Sequence, residues 1–261
     1  MPANWNGKLV MYAHGYPGTG AALGVSNPSI RRCLVQNGDA WAASSYSKNY
    51  YDVRAGVEDT NALALEFTRI ATANTRTLAA PSKIYITGHS MGGHITAAVI
   101  EDEAAATAVN KVKYHGAVPM CGVVGDTALF DQFAAIQVTA QALAGAPSYP
   151  NPTAKWSEIS ALVTSSLFTT FPSVPTASGA KFVAVLQNIT GGPRPLYSQG
   201  LAFGGSFPSA WGALGGDGTI TGILNKSVLD TTAFSYTIDG DASGSTALKS
   251  VTTLPIAASS L

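Results

Sequence analysis

Cysteine is scarce in this chain of 261 residues, with only Cys33 and Cys121. Two cysteines so far apart exclude a zinc ribbon, a CxxC redox pair and a disulfide framework, and leave open one bridge or two thiols. Charge is scarce too: Asp, Glu, Lys and Arg make up 11% of residues, against roughly 25% in an average globular chain. The 15 basic and 15 acidic side chains cancel, so no field exists to recruit nucleic acid or an anionic membrane. No apolar run reaches the roughly 18 residues of a membrane span. The opening Met1-Pro2-Ala3-Asn4-Trp5 lacks the charged and apolar regions of a signal peptide, so an export signal is expected outside this chain. HExxH, GxxxxGK[ST] and a strand-following GxGxxG are all missing, and no metal or cofactor is expected. Histidine occurs four times, never beyond His115.

What remains is an apolar, small-residue chain: 46% hydrophobic, 27 glycines and a mean hydropathy of +0.17. That length buries a large core without staples. The low-charge texture leans toward an exported, secreted or periplasmic enzyme.

The first 120 residues alternate between strand and helix signals. Lys8 to His14 (KLVMYAH) is a buried strand running into a Gly-rich loop. Asn27-Pro28 opens a helix that stops at Gly38. Ala40 to Ser47 can be a second strand, and Val57 to Thr75 carries Leu63, Phe67, Ile70 and Ala71 at helical spacing. Lys83 to Thr87 (KIYIT) is a third strand, Gly93 to Ala106 a helix, and Tyr114 to Met120 a fourth strand. Such alternation predicts an α/β fold, a parallel sheet with helices on both faces. After Gly122 the pattern changes. Phe130 to Leu143 and Trp156 to Phe168 look helical, Lys181 to Ile189 is too short to assign, and Gly200 to Gly222 is Gly-rich without a repeat. The expected division is therefore a core at 1–122 and a largely helical cap or insertion at 123–261.

Gly88-His89-Ser90-Met91-Gly92 matches G-x-S-x-G, in which a tight strand-to-helix turn lifts the serine hydroxyl above the sheet edge. The pentapeptide alone is weak. Its context raises it, because KIYIT precedes it directly and Gly93 to Ile100 follows as a helix, the order that geometry requires. An oxyanion hole needs one N–H from the residue after the nucleophile and one from a loop after an earlier strand. Met91 supplies the first, and Gly15 or Tyr16, after the first strand, the second. The Tyr16 hydroxyl is an alternative donor.

NWNGKLVMYAHGY, AASSY, KIYITGHSMGGH and GAVPMCG together resemble the α/β-hydrolase superfamily, in particular secreted bacterial serine hydrolases akin to esterases and prolyl-oligopeptidase-like enzymes. The resemblance runs from Asn4 to about Gly122, and ITGGPRP and YTID further on are similar to pieces of a helical cap. It implies Ser90 as nucleophile, Met91, Gly15 and Tyr16 around the oxyanion, and a small-molecule or polymeric ester as substrate. A peptidase or amidase of the same fold, or a catalytically silent binding module or fragment, are the alternatives. In the apolar second half, Phe130, Phe133, Trp156, Phe168, Phe171 and Trp211 are candidates to shape an uncharged acyl or aryl pocket.

The chain departs from that pattern in its base. The family order is serine, acid, then a late histidine, whereas here all four histidines lie in the first half. His14 belongs to the oxyanion loop, His89 is the variable elbow position, and His115 opens a strand. His94 is one helical turn from Ser90 and is a candidate surrogate base. No acid can be chosen among Asp126, Asp131, Asp217, Asp239 and Asp241, and Glu101, Asp102 and Glu103 read as a solvated helix end. The resemblance further implies that two strands precede Met1 and that strands carrying acid and histidine follow Leu261. A sheet ending at the fourth strand would leave an unpaired edge, and self-association there, or cover from residues 181–189, is expected.

Overall fold

The computed structural model describes residues 1–18, 20–125, 127–150, 156–193, 228–253 and 255–257. The chain forms two compact units, Met1–Val124 and Gly125–Leu261.

The first unit is built on a four-stranded sheet in the order β2-β1-β3-β4, with β1 at Lys8–Ala13, β2 at Ala40–Ala42, β3 at Lys83–His89 and β4 at Gly116–Met120. All three pairings are parallel, so this is an α/β architecture. Side chains alternate across a strand, and Leu9, Met11 and Ala13 of β1 join Ile86 of β3 in one buried cluster. Val57, Ala64 and Phe67 of helix α2 (Val53–Ala73) and Met91, Ile95 and Val99, in and just after helix α3 (Met91–Ala98), complete it. Each fully buried aliphatic side chain of this kind contributes about 1.5–3 kcal/mol.

Several boundaries differ from the sequence reading, each for a local reason. Helix α1 occupies only Arg31–Gln36 and has no side-chain cap; a turn in which Arg31 N donates to Pro28 O precedes it. Strand β2 pairs with β1 only over Ala40–Ala42, and an extended chain cannot continue to Ser47, because Tyr46 adopts a left-handed φ of 59° with its N–H on Ser44 Oγ. Helix α2 begins four residues early, where Asp52 caps it by accepting from Ala55 N. The single helix expected at Gly93–Ala106 is two. Glu101 is extended, and α4 (Asp102–Thr107) restarts with Asp102 and Glu103 in its first turn, where acidic side chains suit the helix dipole.

The second unit is mainly helical where described: α5 at Thr127–Ala144, α6 at Trp156–Leu167, α7 at Ala177–Ile189 and α8 at Ala242–Thr252. Two short antiparallel pairs accompany them, Phe168–Thr170 with Val174–Pro175 and Val228–Asp230 with Pro255–Ala257. Leu167, Phe168 and Phe182 anchor one apolar cluster and Val185, Tyr236 and Leu248 another. Residues 181–189, unassigned from sequence, lie in α7 and add no strand to the four-stranded sheet. Phe168 is core rather than pocket lining, with Phe171 edge-on to it at 5.3 Å. The Phe130 and Trp156 side chains, Trp211, Asp126, Asp217, the end of ITGGPRP and the segment 200–222 fall outside the described residues. No described helix is long and apolar enough to cross a membrane.

Candidate active site

Ser90 sits between β3 and α3 with φ 57° and ψ −121°, a combination an L residue holds at a cost of about 1–3 kcal/mol. A serine before a helix ordinarily turns its hydroxyl onto the first-turn N–H groups. Here it makes no such bond, and the residue is exposed. The strained backbone therefore turns the hydroxyl out toward solvent. Two bonds hold this turn: Ser90 N donates to Met120 O at 3.1 Å, and His94 N donates to Ser90 O at 3.0 Å.

The motif's glycines are fixed by space. A Cβ at Gly92 would lie 1.9 Å from Ala13 O, and one at Gly88 would lie 2.3 Å from Gly92 O. This closeness seats the start of α3 against the end of β1 and brings the loop after β1 to Ser90. A Cβ on Gly15 would meet Ser90 Cβ at 3.6 Å and His89 O at 3.4 Å. Gly15 thus flanks the serine, and Tyr16, 36% exposed, follows it. Met91 is the first residue of α3, where a helix N–H has no carbonyl partner within the helix. The positive end of the α3 dipole also points toward the serine.

Gly15 and Tyr16 open a cleft of about 320 Å³, walled by His14, Gly15, Tyr16, Pro17, Ala22, Gly24, Val25 and Ser26. No wall residue carries a formal charge. His14, 3% exposed, has Nδ1 2.7 Å from Gly15 O, and burial pulls its pKa below the ordinary 6.5, which keeps the ring neutral.

None of the other histidines reaches the serine either. His89 stands edge-on to Tyr12 at 6.3 Å, His94 Nδ1 pairs with the Tyr51 hydroxyl at 2.9 Å, and His115 Nδ1 accepts from Ile84 N at 3.2 Å. No hydrogen bond joins Ser90 Oγ to any of the four rings.

A scan against protein-family models, a search of curated proteins and a search of solved structures each find no match for this chain. The site therefore stands on its own geometry.

The structure brings Ser90, Met91 and Gly15 together, with Tyr16 beside them. Within the second unit, the Asp131 carboxylate in α5 accepts from Asp230 N, and Asp241 caps α8 and pairs with Lys181 at 2.9 Å. Among the described residues no group of three or more His, Cys, Asp or Glu could hold a metal. Cys33 and Cys121 are free and exposed thiols, which resolves the alternative left open by their spacing. Tyr46 and Asn49, which hold the cleft loop, were not legible as site residues. Tyr46 closes the AASSY motif and Asn49 follows three residues later, but nothing in that stretch marks either side chain as a partner of the loop after β1.

Proposed function

We propose that this chain is a serine-dependent hydrolase of carboxylic esters, with an α/β-hydrolase core over 1–122 and a helical cap over 123–261. Ser90 Oγ attacks the ester carbonyl and gives its proton to solvent water, the N–H groups of Met91 and of Gly15 or Tyr16 hold the oxyanion, the C–O bond breaks as the alcohol leaves with a proton from water, and a second water then attacks the acyl carbon, releasing the acid and returning a proton to Ser90 Oγ. The observation that carries this reading is the backbone at Ser90, strained so that its hydroxyl leaves the helix cap and stands exposed beside Gly15 and the first N–H of α3. Esters are favoured over amides because an amine leaving group needs an acid to protonate it, and no histidine is bonded at Ser90. The uncharged cleft supports a neutral acyl or aryl group next to the reacting carbon. The low charge and the resemblance support an exported location. The β4 edge, where Val118 is 60% exposed, is the proposed place of self-association.

The test is covalent capture by a fluorophosphonate, followed by peptide mass mapping. Label on the Ser90 peptide, absent from Ser90→Ala, is the expected result; label elsewhere or nowhere refutes it. The unpaired hydroxyl favours one second reading, a module that binds an acyl group without turning it over. Saturable binding of an aryl ester with no Ser90 label would select that reading.

A further inference from the structure

The loop that carries Gly15 and walls the cleft is not self-supporting. Its carbonyls at four points accept from the segment after β2: the Tyr46 hydroxyl donates to His14 O at 2.9 Å, Tyr50 N to Gly18 O at 3.0 Å, and the two Asn49 Nδ2 hydrogens to Gly20 O at 3.0 Å and Ala22 O at 2.9 Å. Tyr46 and Asn49 are each 2% exposed. The Tyr46 ring also stacks on His14 with centroids 4.1 Å apart and planes 25° from parallel. Tyr46 and Tyr50 hold left-handed φ values of 59° and 79°, conformations that persist only where the surroundings impose them. Burial pushes the Tyr46 phenol up, so it stays a neutral donor. The segment is a template, and its bonds divide by position. Tyr46 grips the loop next to Gly15, the end that faces Ser90. Asn49 grips it at Gly20 and Ala22, the end that leads to the Gly24, Val25 and Ser26 wall.

We infer that Tyr46 and Asn49 are positioning residues with separate duties, Tyr46 setting the oxyanion N–H against Ser90 and Asn49 setting the wall that receives the substrate's acyl group. This rests on the reading of Ser90 as the nucleophile. An oxyanion donor acts in the transition state, so displacing it lowers kcat, whereas displacing a binding wall raises KM. A merely structural role would move both together, or only the melting temperature.

The experiment measures kcat and KM for p-nitrophenyl acetate and p-nitrophenyl benzoate with the intact chain, Tyr46→Phe, Asn49→Asp and Asn49→Ala. Tyr46→Phe keeps the stacked ring and is expected to lower kcat about five- to tenfold on both esters with KM unchanged. The Asn49 variants are expected to raise KM about tenfold on the benzoate, less on the acetate, with kcat within about twofold. Hydrogen exchange over the loop supplies a readout independent of turnover, with faster exchange confined to residues 14–18 in Tyr46→Phe and to 18–26 in the Asn49 variants. Parallel changes in kcat and KM, or unaltered loop exchange in folded variants, overturn the inference. Absence of Ser90-dependent turnover in the intact chain would instead defeat the reading of Ser90, and the exchange maps would still decide whether these residues position the loop.

Discussion

The two units differ in where they carry backbone strain. Of the six non-glycine residues with left-handed φ among those described, Tyr46, Tyr50, Thr75, Ser90 and Cys121 lie in the first unit and only Ser148 in the second. Four of the first five follow the C-terminal ends of β2, β3 and β4, the side of an open parallel sheet on which ligands bind. Buried polar side chains, by contrast, do not separate the units: Thr60 and Asn61 of α2 and Thr96 of α3 are buried in the first, and Gln137, Thr139 and Gln141 of α5 in the second. Strain that has no packing role is tolerated where the backbone must present a group. Burial of polar side chains is thus common to both units, and the strained backbone is what sets the first apart.

The sharpest way to break this comparison is at Ser90. Ser90→Gly removes both the hydroxyl and the Cβ that makes φ 57° costly. It is expected to abolish phosphonate labelling and ester turnover while raising stability by about 1 kcal/mol, measured by denaturant unfolding. A loss of stability would show that the conformation at Ser90 is not strained.

Glycine contacts sharpen the comparison next. In Gly92→Ala the new Cβ would sit 1.9 Å from Ala13 O, and in Gly179→Ala 1.7 Å from Leu167 O. Both oxygens are backbone atoms that cannot give way, so each variant is expected to lose more than about 3 kcal/mol. Gly15→Ala differs, because its contacts of 3.4 Å and 3.6 Å are close but tolerable. It should stay folded and lose roughly tenfold or more in turnover as its methyl crowds Ser90. Full activity in Gly15→Ala would remove this loop from the site.

A smaller effect follows from His14, whose burial holds its pKa below 6.5. The folded ring resists a proton that the unfolded ring accepts, so the unfolded state binds more protons as pH falls below about 6.5. The stability contributed by neutral His14 is complete above that pH and declines as pH falls toward the folded pKa. His14→Gln should flatten the acid side of the stability profile between pH 7 and 5. An unchanged slope would mean that the ring is protonated in the fold.

The parts of this molecule that could be read from sequence are those whose physics is local. The strands β1, β3 and β4, the elbow at Ser90 and the approach of Gly15 follow from apolar runs ending at glycines, which is a short-range pattern. The early start of α2 was also readable, since Asp52, a favoured cap residue, directly precedes Val53, although the clear helical spacing of Leu63, Phe67 and Ile70 begins only further on. Tyr46 and Asn49 were not readable: their importance lies in bonds to residues about thirty positions earlier, and no local pattern announces such a partner. The helix at 177–189 was hidden by its small residues, although Thr176 caps it by accepting from Gly179 N.

The smallest expected effect concerns His94, the surrogate base that its spacing from Ser90 suggested. Its Nδ1 is engaged by the Tyr51 hydroxyl at 2.9 Å, the two rings are 6.0 Å apart, and its own N–H closes the first turn of α3 on Ser90 O. One helical turn places the residues on one face of the helix. The left-handed φ at Ser90, however, carries its side chain off that face, and no bond joins Oγ to the ring. Without a base the serine hydroxyl is a weak nucleophile, and oxyanion stabilisation and binding alone leave roughly 10³ to 10⁴ of acceleration over water. The intact chain is therefore expected to label slowly with a fluorophosphonate and to favour activated aryl esters. His94→Gln should label within about twofold of the intact rate, with no change in pH profile between 5 and 8. A loss of a hundredfold or more in that variant, together with an altered pH profile, would make His94 the base after all and require its ring to turn from Tyr51 toward Ser90 when substrate binds.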